Sequence, residues 1–173
     1  MYSLNGEKVF LRALEPSDID FLYQLENNVA IWEISGTTSP YSRQILQLYL
    51  NNAHRDIYDV KQLRLCVCTS DDKVVGLIDL YDFDPKNKRA GIGIIILENE
   101  NRNLGYGAEA LELLCRYARV TLGIHQLYCS ILDDNSPSIR LFEKSGFSKV
   151  GLKRDWIVSN GKFKNEILFQ KIF

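Results

Sequence analysis

The chain has 173 residues, 46% of them apolar, which is enough to bury a sizeable core in one domain spanning 1–173. Its 21 basic and 22 acidic residues leave a net charge of -1, so the basic surplus that nucleic-acid binding draws on is missing. No run is long and apolar enough for a membrane span, the first residues carry no leader pattern, and the four cysteines form no C-x-x-C pair. The expectation is a soluble cytoplasmic protein with buried free thiols, no nucleic-acid or membrane partner, and no metal, since the two histidines stand far apart.

Residues 9–14 read as a short strand. Pro16 and Ser17 open a helix with Ile19, Leu22 and Leu25 on its apolar side, 36–40 is a break, and Ser42 caps a second helix striped by Ile45, Leu46, Tyr49 and Leu50. Alternation then takes over. Strands at 63–68, 74–83 and 89–97 are joined by the short polar turns at 71–73 and 84–87, and such turns require antiparallel neighbours. After the polar loop ENENRN comes a helix with Leu104, Ala108, Leu111, Leu114, Cys115 and Ala118 on one face, then a strand at 126–132. Ser136 followed by Pro137 predicts a helix start, and Gly146 a left-handed stop. Asn160-Gly161 lies between strands at 152–158 and 163–170, a strong hairpin signal because both turn residues need positive φ.

The stretch Arg102-Asn103-Leu104-Gly105-Tyr106-Gly107 stands at a loop-to-helix junction. A helix start leaves backbone N–H groups without partners and carries partial positive charge, so it suits an anion; glycine lets a phosphate come close, and arginine adds a planar charged fork. The plain alternative is a loop whose glycines only permit tight packing. Gly105, Gly107 and Ala110 formally fit a dinucleotide fingerprint, but the preceding strands form a meander and a six-residue polar loop intervenes, which excludes that reading. No G-K-[ST] follows, which excludes a nucleotide-triphosphate loop.

With DDNSPSIRLFEKSGF at 133–147, this stretch resembles the Gcn5-related N-acetyltransferase (GNAT) superfamily. Arg102, Gly105 and Gly107 match its [QR]-x-x-G-x-[GA] pattern, and Asn103 stands where glycine is usual. The opening VFLRALEPSDIDFLYQLENN and the closing GLKRDWIVSNGKFKNEILF are similar to the branch holding spermidine/diamine and ribosomal-protein N-terminal acetyltransferases.

The resemblance implies an α+β fold: a mixed, mostly antiparallel twisted sheet of about seven strands with helices on both faces. It implies acetyl transfer from acetyl-CoA to a primary amine by direct attack in a ternary complex. Cofactor contacts are expected from Ile94, Ile95 and Ile96 through backbone, from Arg102, Asn103, Leu104, Gly105, Tyr106 and Gly107 around the diphosphate, and from Asn135, Ser138, Phe142 and Lys144 around the pantetheine arm and phosphates. Two of the family's usual groups are missing: Phe142 replaces a tyrosine acid, and Gly91 stands where a glutamate often helps to deprotonate the amine.

Ser138 is then a candidate acid, with a first-turn helix serine as its plain reading, and Asp79 and Glu33 are candidate bases, each with an ordinary solvated or capping acid as its plain reading. Glu33, Asp79, Asp82, Asp84 and Asp155 would attract a cationic diamine or polyamine. The alternatives are a protein N-terminal acetyltransferase, or a CoA-binding regulatory domain that has lost the chemistry. Loops 30–42 and 153–164 are expected to shape the acceptor site. An exposed C-terminal strand would pair with a second copy, making a homo-oligomer an expectation.

Overall fold

The structure, a computed structural model, describes residues 4–97 and 103–173. Strand β1 (Val9–Ala13) is followed by a single 3-10 turn (Pro16–Asp18) and by helices α1 (Ile19–Glu26), α2 (Val29–Ser35), α3 (Arg43–Asn51) and α4 (Ile57–Val60). The meander is β2 (Leu63–Thr69), β3 (Val74–Asp84) and β4 (Arg89–Ile96). Then come α5 (Tyr106–Val120), β5 (Gln126–Leu132), α6 (Ser136–Lys144) and the hairpin β6 (Ser148–Ser159) and β7 (Lys162–Ile172). The strands form one seven-stranded sheet in the order β1-β2-β3-β4-β5-β7-β6. All neighbours are antiparallel except β4 and β5. The α+β expectation is met.

Strand parity divides the core. Ile78, Leu80 and Ile92 pack with Leu111 and Leu114 of α5 and Phe142 of α6 on one face. Cys66, Cys68 and Leu77 pack with Leu22 and Leu25 of α1 and Leu46 and Leu50 of α3 on the other. Each fully buried aliphatic side chain contributes about 1.5–3 kcal/mol, so both layers are needed to hold the sheet between them. The four cysteines are free and buried. Burial pushes the Cys66 and Cys129 thiols up to about 12 and Cys115 to about 11, which keeps them unreactive.

Several sequence expectations are corrected. Helix α5 begins at Tyr106, so Leu104 belongs to the preceding turn and is 48% exposed rather than part of the apolar stripe; Ala108 is also exposed, and Ala110 and Leu113 are buried in their place. The α6 cap is Asn135, one residue before Ser136, and its side chain accepts from the Ser138 N–H at 3.3 Å. The C-terminal strand is not an edge: β7 lies between β5 and β6, and β6 is outermost. That edge is interrupted at Lys149/Gly151 and Lys153/Ile157, which blunts it against pairing.

The turn chemistry agrees with expectation elsewhere. Ser42 accepts from the Ile45 N–H at 3.2 Å, Gly146 has φ 85°, and Asn160 and Gly161 have φ 50° and 74°.

Candidate functional site

The parallel pair β4–β5 is short. It holds only at Arg89–Gln126, Ala90–Leu127 and Gly91–Tyr128. Beyond that rung β4 stays paired to β3 through Ile94–Ile78, Ile95–Leu77 and Ile96–Gly76, and β5, paired to β7 along its whole length, continues on β7 alone. The two strands diverge into a fork, and among the described residues no strand pairs with the β5-facing edge of β4 at 92–95. Ile94 and Ile96 pack toward α5 and Ile95 toward α1, so these three side chains serve the core while their backbone borders the fork.

At the open end of the fork, Asn103 and Gly105 both have left-handed backbone, φ 62° and 86°. Gly105 is the N-cap of α5 and supplies no side-chain cap. The Glu109 N–H to Gly105 carbonyl bond is 3.1 Å, so the amides of 106–108 precede the helical ladder. A first-turn glutamate would oppose an anion here, but Glu109 is turned away. Its carboxylate accepts the N–H groups of Glu7, Lys8 and Val9 at 2.9, 2.8 and 2.7 Å. Those three backbone bonds outweigh partial burial and hold its carboxyl below the usual range.

Lys8 places its ammonium 3.1 Å from the Leu104 carbonyl and 2.8 Å from where a Cβ on Gly105 would stand. It is a cation at the turn that no local pattern announces. At Gly107 a Cβ would lie 3.4 Å from Leu141, in ordinary contact, so the fold leaves room for a methyl group there. Tyr106 is half-buried against the core. Arg102 lies outside the described residues.

In α6, Ser138 is half-buried in the first turn and Lys144 is exposed in the last. Phe142 is buried, with its ring edge-on to Phe147 at 5.0 Å.

The α1–α3 face of the fork is built from side chains. Arg64 binds both Asp79 carboxylate oxygens at 2.6 and 3.2 Å, holds Glu26 at 2.9 Å, and lies 5.6 Å over the Tyr49 ring. Asp79 shares a face of β3 with Leu77 and Tyr81, and there it meets Arg64. Burial raises its pKa against the pull of Arg64, yet both of its oxygens are committed to the guanidinium. Glu33 pairs with Lys164 at 2.8 Å, and Lys164 also holds Asp134 at 2.7 Å. Lys164 and Ser159 beside it lower the Glu33 pKa, which suits a fixed anion better than a proton acceptor. This pair joins 30–42 to 153–164, the two stretches expected as loops shaping one site, but Glu33 stands in α2 and Lys164 in β7, so helix and hairpin make the contact. Asp84 is tied to Arg89 at 3.2 Å and to Asn87, Asp82 lies 3.5 Å from the Tyr128 hydroxyl, and Asp155 bonds Asn165 through its backbone.

Gly91 is explained sterically. A Cβ there would stand 2.1 Å from the Tyr81 ring, so that ring fills the place of a side chain. Sequence reading passes over Tyr81 because nothing local links it to residue 91. The only available signal is two glycines in a strand, at 91 and 93, which marks a close approach.

Among the described residues no helix is long and apolar enough to cross a membrane, and no cluster of three or more His, Cys, Asp or Glu is placed to hold a metal.

The family described as acetyltransferase (GNAT) domain matches residues 8–148. The SPbeta prophage-derived uncharacterized N-acetyltransferase YokL of Bacillus subtilis (strain 168) is 27% identical over 164 residues, 95% of this chain and 89% of that protein. The spermidine N(1)-acetyltransferase of Escherichia coli (strain K12) is 28% identical over 163 residues, 94% of this chain and 85% of its own. Among solved structures, the spermidine N-acetyltransferase from Vibrio cholerae in complex with CoA and spermine shares the fold, with a TM-score of 0.86 over 96% of both chains at 23% identity. A forked β4–β5 pair beside an uncapped α5 start, together with a family match over most of the sequence, makes this chain a member of the GNAT acetyltransferase family.

Proposed function

We propose that the chain moves the acetyl group of acetyl-CoA onto a primary amine of a small diamine or polyamine, by direct attack while both substrates are bound. The observation that carries this is the three-rung β4–β5 pair: among the described residues no strand pairs with the β5-facing edge of β4 at 92–95, which lies between the α5 start and a carboxylate-rich face. The amides of 106–108, the left-handed Asn103 and Gly105, and Lys8 would hold the diphosphate; the backbone of β4 at 92–95 would pair with the pantetheine amides as an added strand. The thioester supplies an activated acyl group with a good leaving group, since the parent thiol has a pKa of about 8.5.

The amine approaches from the α1–α3 face. Glu26, Asp79 and Glu33 are partly neutralised by Arg64 and Lys164, so they bias that face toward cations without leaving bare buried charge. The likeness to the Escherichia coli spermidine N(1)-acetyltransferase supports the polyamine class. The four buried, unpaired thiols support a reducing compartment such as the cytoplasm.

A second reading, a CoA-binding domain without turnover, draws on Phe142, which presents a buried ring and no hydroxyl. Thiol release from acetyl-CoA, measured with spermidine, putrescine, amino acids and N-terminal peptides, separates these readings. Turnover greatest with spermidine or putrescine supports the polyamine reading. Turnover only with peptides moves the activity to protein N-termini, and CoA binding with no turnover favours the domain without chemistry.

A further inference from the structure

Strand β4 has glycine at 91 and 93, the two positions of its α1–α3 side nearest the fork. Tyr81, the β3 partner of Gly91, lays its ring in the space they vacate. A Cβ at residue 91 would stand 2.1 Å from ring atom Cε2 and 2.3 Å from Cζ, and one at residue 93 would stand 3.8 Å from Cε1. The ring and a side chain at 91 therefore exclude each other. Because Cζ bears the hydroxyl, the polar end of Tyr81 sits over Gly91, and Gly91–Tyr128 is the last rung before the strands part.

The ring is held from the β5 side by Tyr128, edge-on with centroids 6.0 Å apart at 84°. The carboxylates nearby are already engaged: Asp79 by Arg64, and Glu166 by Lys153 at 2.6 Å. Among the described residues the Tyr81 hydroxyl has no hydrogen-bond partner.

We propose that the Tyr81 hydroxyl is a catalytic residue that touches the acceptor amine at the fork, accepting a hydrogen bond from its N–H so that the nitrogen lone pair points at the thioester carbonyl carbon. The amine enters neutral. Its nitrogen forms the C–N bond, the C–S bond breaks with its electron pair going to sulfur, and the proton lost by nitrogen ends on the departing thiolate, giving amide and free thiol. Tyr81 keeps its own proton throughout. Burial, with Cys129 and Tyr128 on β5, Asp82 on its own strand and Glu166 on β7, pushes its phenol well above the usual range. A neutral hydroxyl fixes the amine without serving as a base.

This inference rests on the acetyl-transfer reading, and the test separates the two. Tyr81→Phe keeps the ring, its contact with Tyr128 and its seat over Gly91, so the variant folds and binds CoA as the wild type does. With the best amine, kcat/KM is expected to fall by about tenfold or more, equally from about pH 7 to pH 9, with the calorimetric Kd for CoA unchanged. If the wild type turns over no amine, the acetyl-transfer reading fails by itself. If the wild type is active and Tyr81→Phe retains more than a tenth of its kcat/KM, the role given to the hydroxyl is overturned. It is overturned too if the wild type shows an alkaline rise that the phenylalanine variant lacks, because Tyr81 would then act as a base.

Discussion

The two sides of the fork are made of different materials. The α5 side is backbone: left-handed residues at 103 and 105, the amides of 106–108 ahead of the helical ladder and, among the described residues, a β4 edge at 92–95 with which no strand pairs. The α1–α3 side is side chains drawn from distant parts of the chain: Glu26, Arg64, Asp79, Tyr81, and Glu33 with Lys164. A backbone site depends on a few conformations and is encoded over about six consecutive residues. A side-chain site depends on register between strands and on charge neutralisation, so it is encoded nowhere in particular. Breaking the partly buried ion pairs of the second side should therefore disturb folding and the amine together, whereas substitutions on the first should act mainly on the CoA end.

The largest effect is expected at Arg64. Arg64→Met leaves the Asp79 and Glu26 carboxylates partly buried, 21% and 15% exposed, without their shared cation. Breaking such a pair from one side costs about 3–5 kcal/mol, readable as a lower urea midpoint. The sign with pH follows from Asp79. Its pKa is already raised by burial and rises further without Arg64, so the deficit shrinks as pH falls and the carboxyl takes up its proton. Adding Asp79→Asn to Arg64→Met should restore much of the loss at neutral pH. If the double variant is as unstable as the single one, uncompensated charge is not the cause.

Next comes Gly91. Gly91→Val drives two methyl groups into the Tyr81 ring and should cost about 2–3 kcal/mol. In a Tyr81→Ala background the same change has room, so its cost should largely vanish. Additive losses in thermal melts of the four proteins would show that the ring and residue 91 do not compete for one space.

How far the two sides could be read in advance follows from the same contrast. The tight turn ahead of α5 was visible in NLGYG, and Asn103 does take the positive φ that its side chain tolerates. Strand β5 and the Asn160-Gly161 hairpin were legible because alternation and turn chemistry are local. Helices α2 and α4 were not. One has seven residues with Val29 and Ile34 exposed, the other only four, so neither shows a full apolar stripe. Lys8 reaches Leu104 across 96 positions and Tyr81 meets Tyr128 across the sheet. No spacing rule connects such pairs before the register is known. Asp79 was placed on the right strand face by parity alone, but its capture by Arg64 depends on the Arg64–Asp79 cross-strand register.

A smaller effect is expected on the backbone side. Gly105→Ala imposes a Cβ on a residue at φ 86° and crowds the Lys8 ammonium, a flexible group that can move aside. The fold should lose only about 1 kcal/mol, while CoA affinity falls about tenfold as the methyl group narrows the approach to the amides. The KM for amine should stay as it was. A variant that binds CoA normally would remove the 103–107 turn from the diphosphate.

The smallest effect belongs to Glu33, at the solvent-facing rim. Its pair with Lys164 is partly exposed and open to salt, so Glu33→Gln should leave stability and CoA binding nearly unchanged. On the proposed polyamine reading it removes a fixed anion on the path of the acceptor, so the KM for spermidine should rise by about threefold at low salt and converge with the wild type at high salt. The pH dependence has a definite sign. Lys164 and Ser159 hold the Glu33 carboxyl below its ordinary 4.5, so the pair is fully formed above that value and is lost only as pH falls through the lowered one. Across the neutral range the wild type and Glu33→Gln should therefore differ by a constant factor. A difference that grows or vanishes between pH 6 and 8 would mean that Glu33 exchanges a proton during turnover, which would make the rim of the acceptor face part of the chemistry as well as of the attraction.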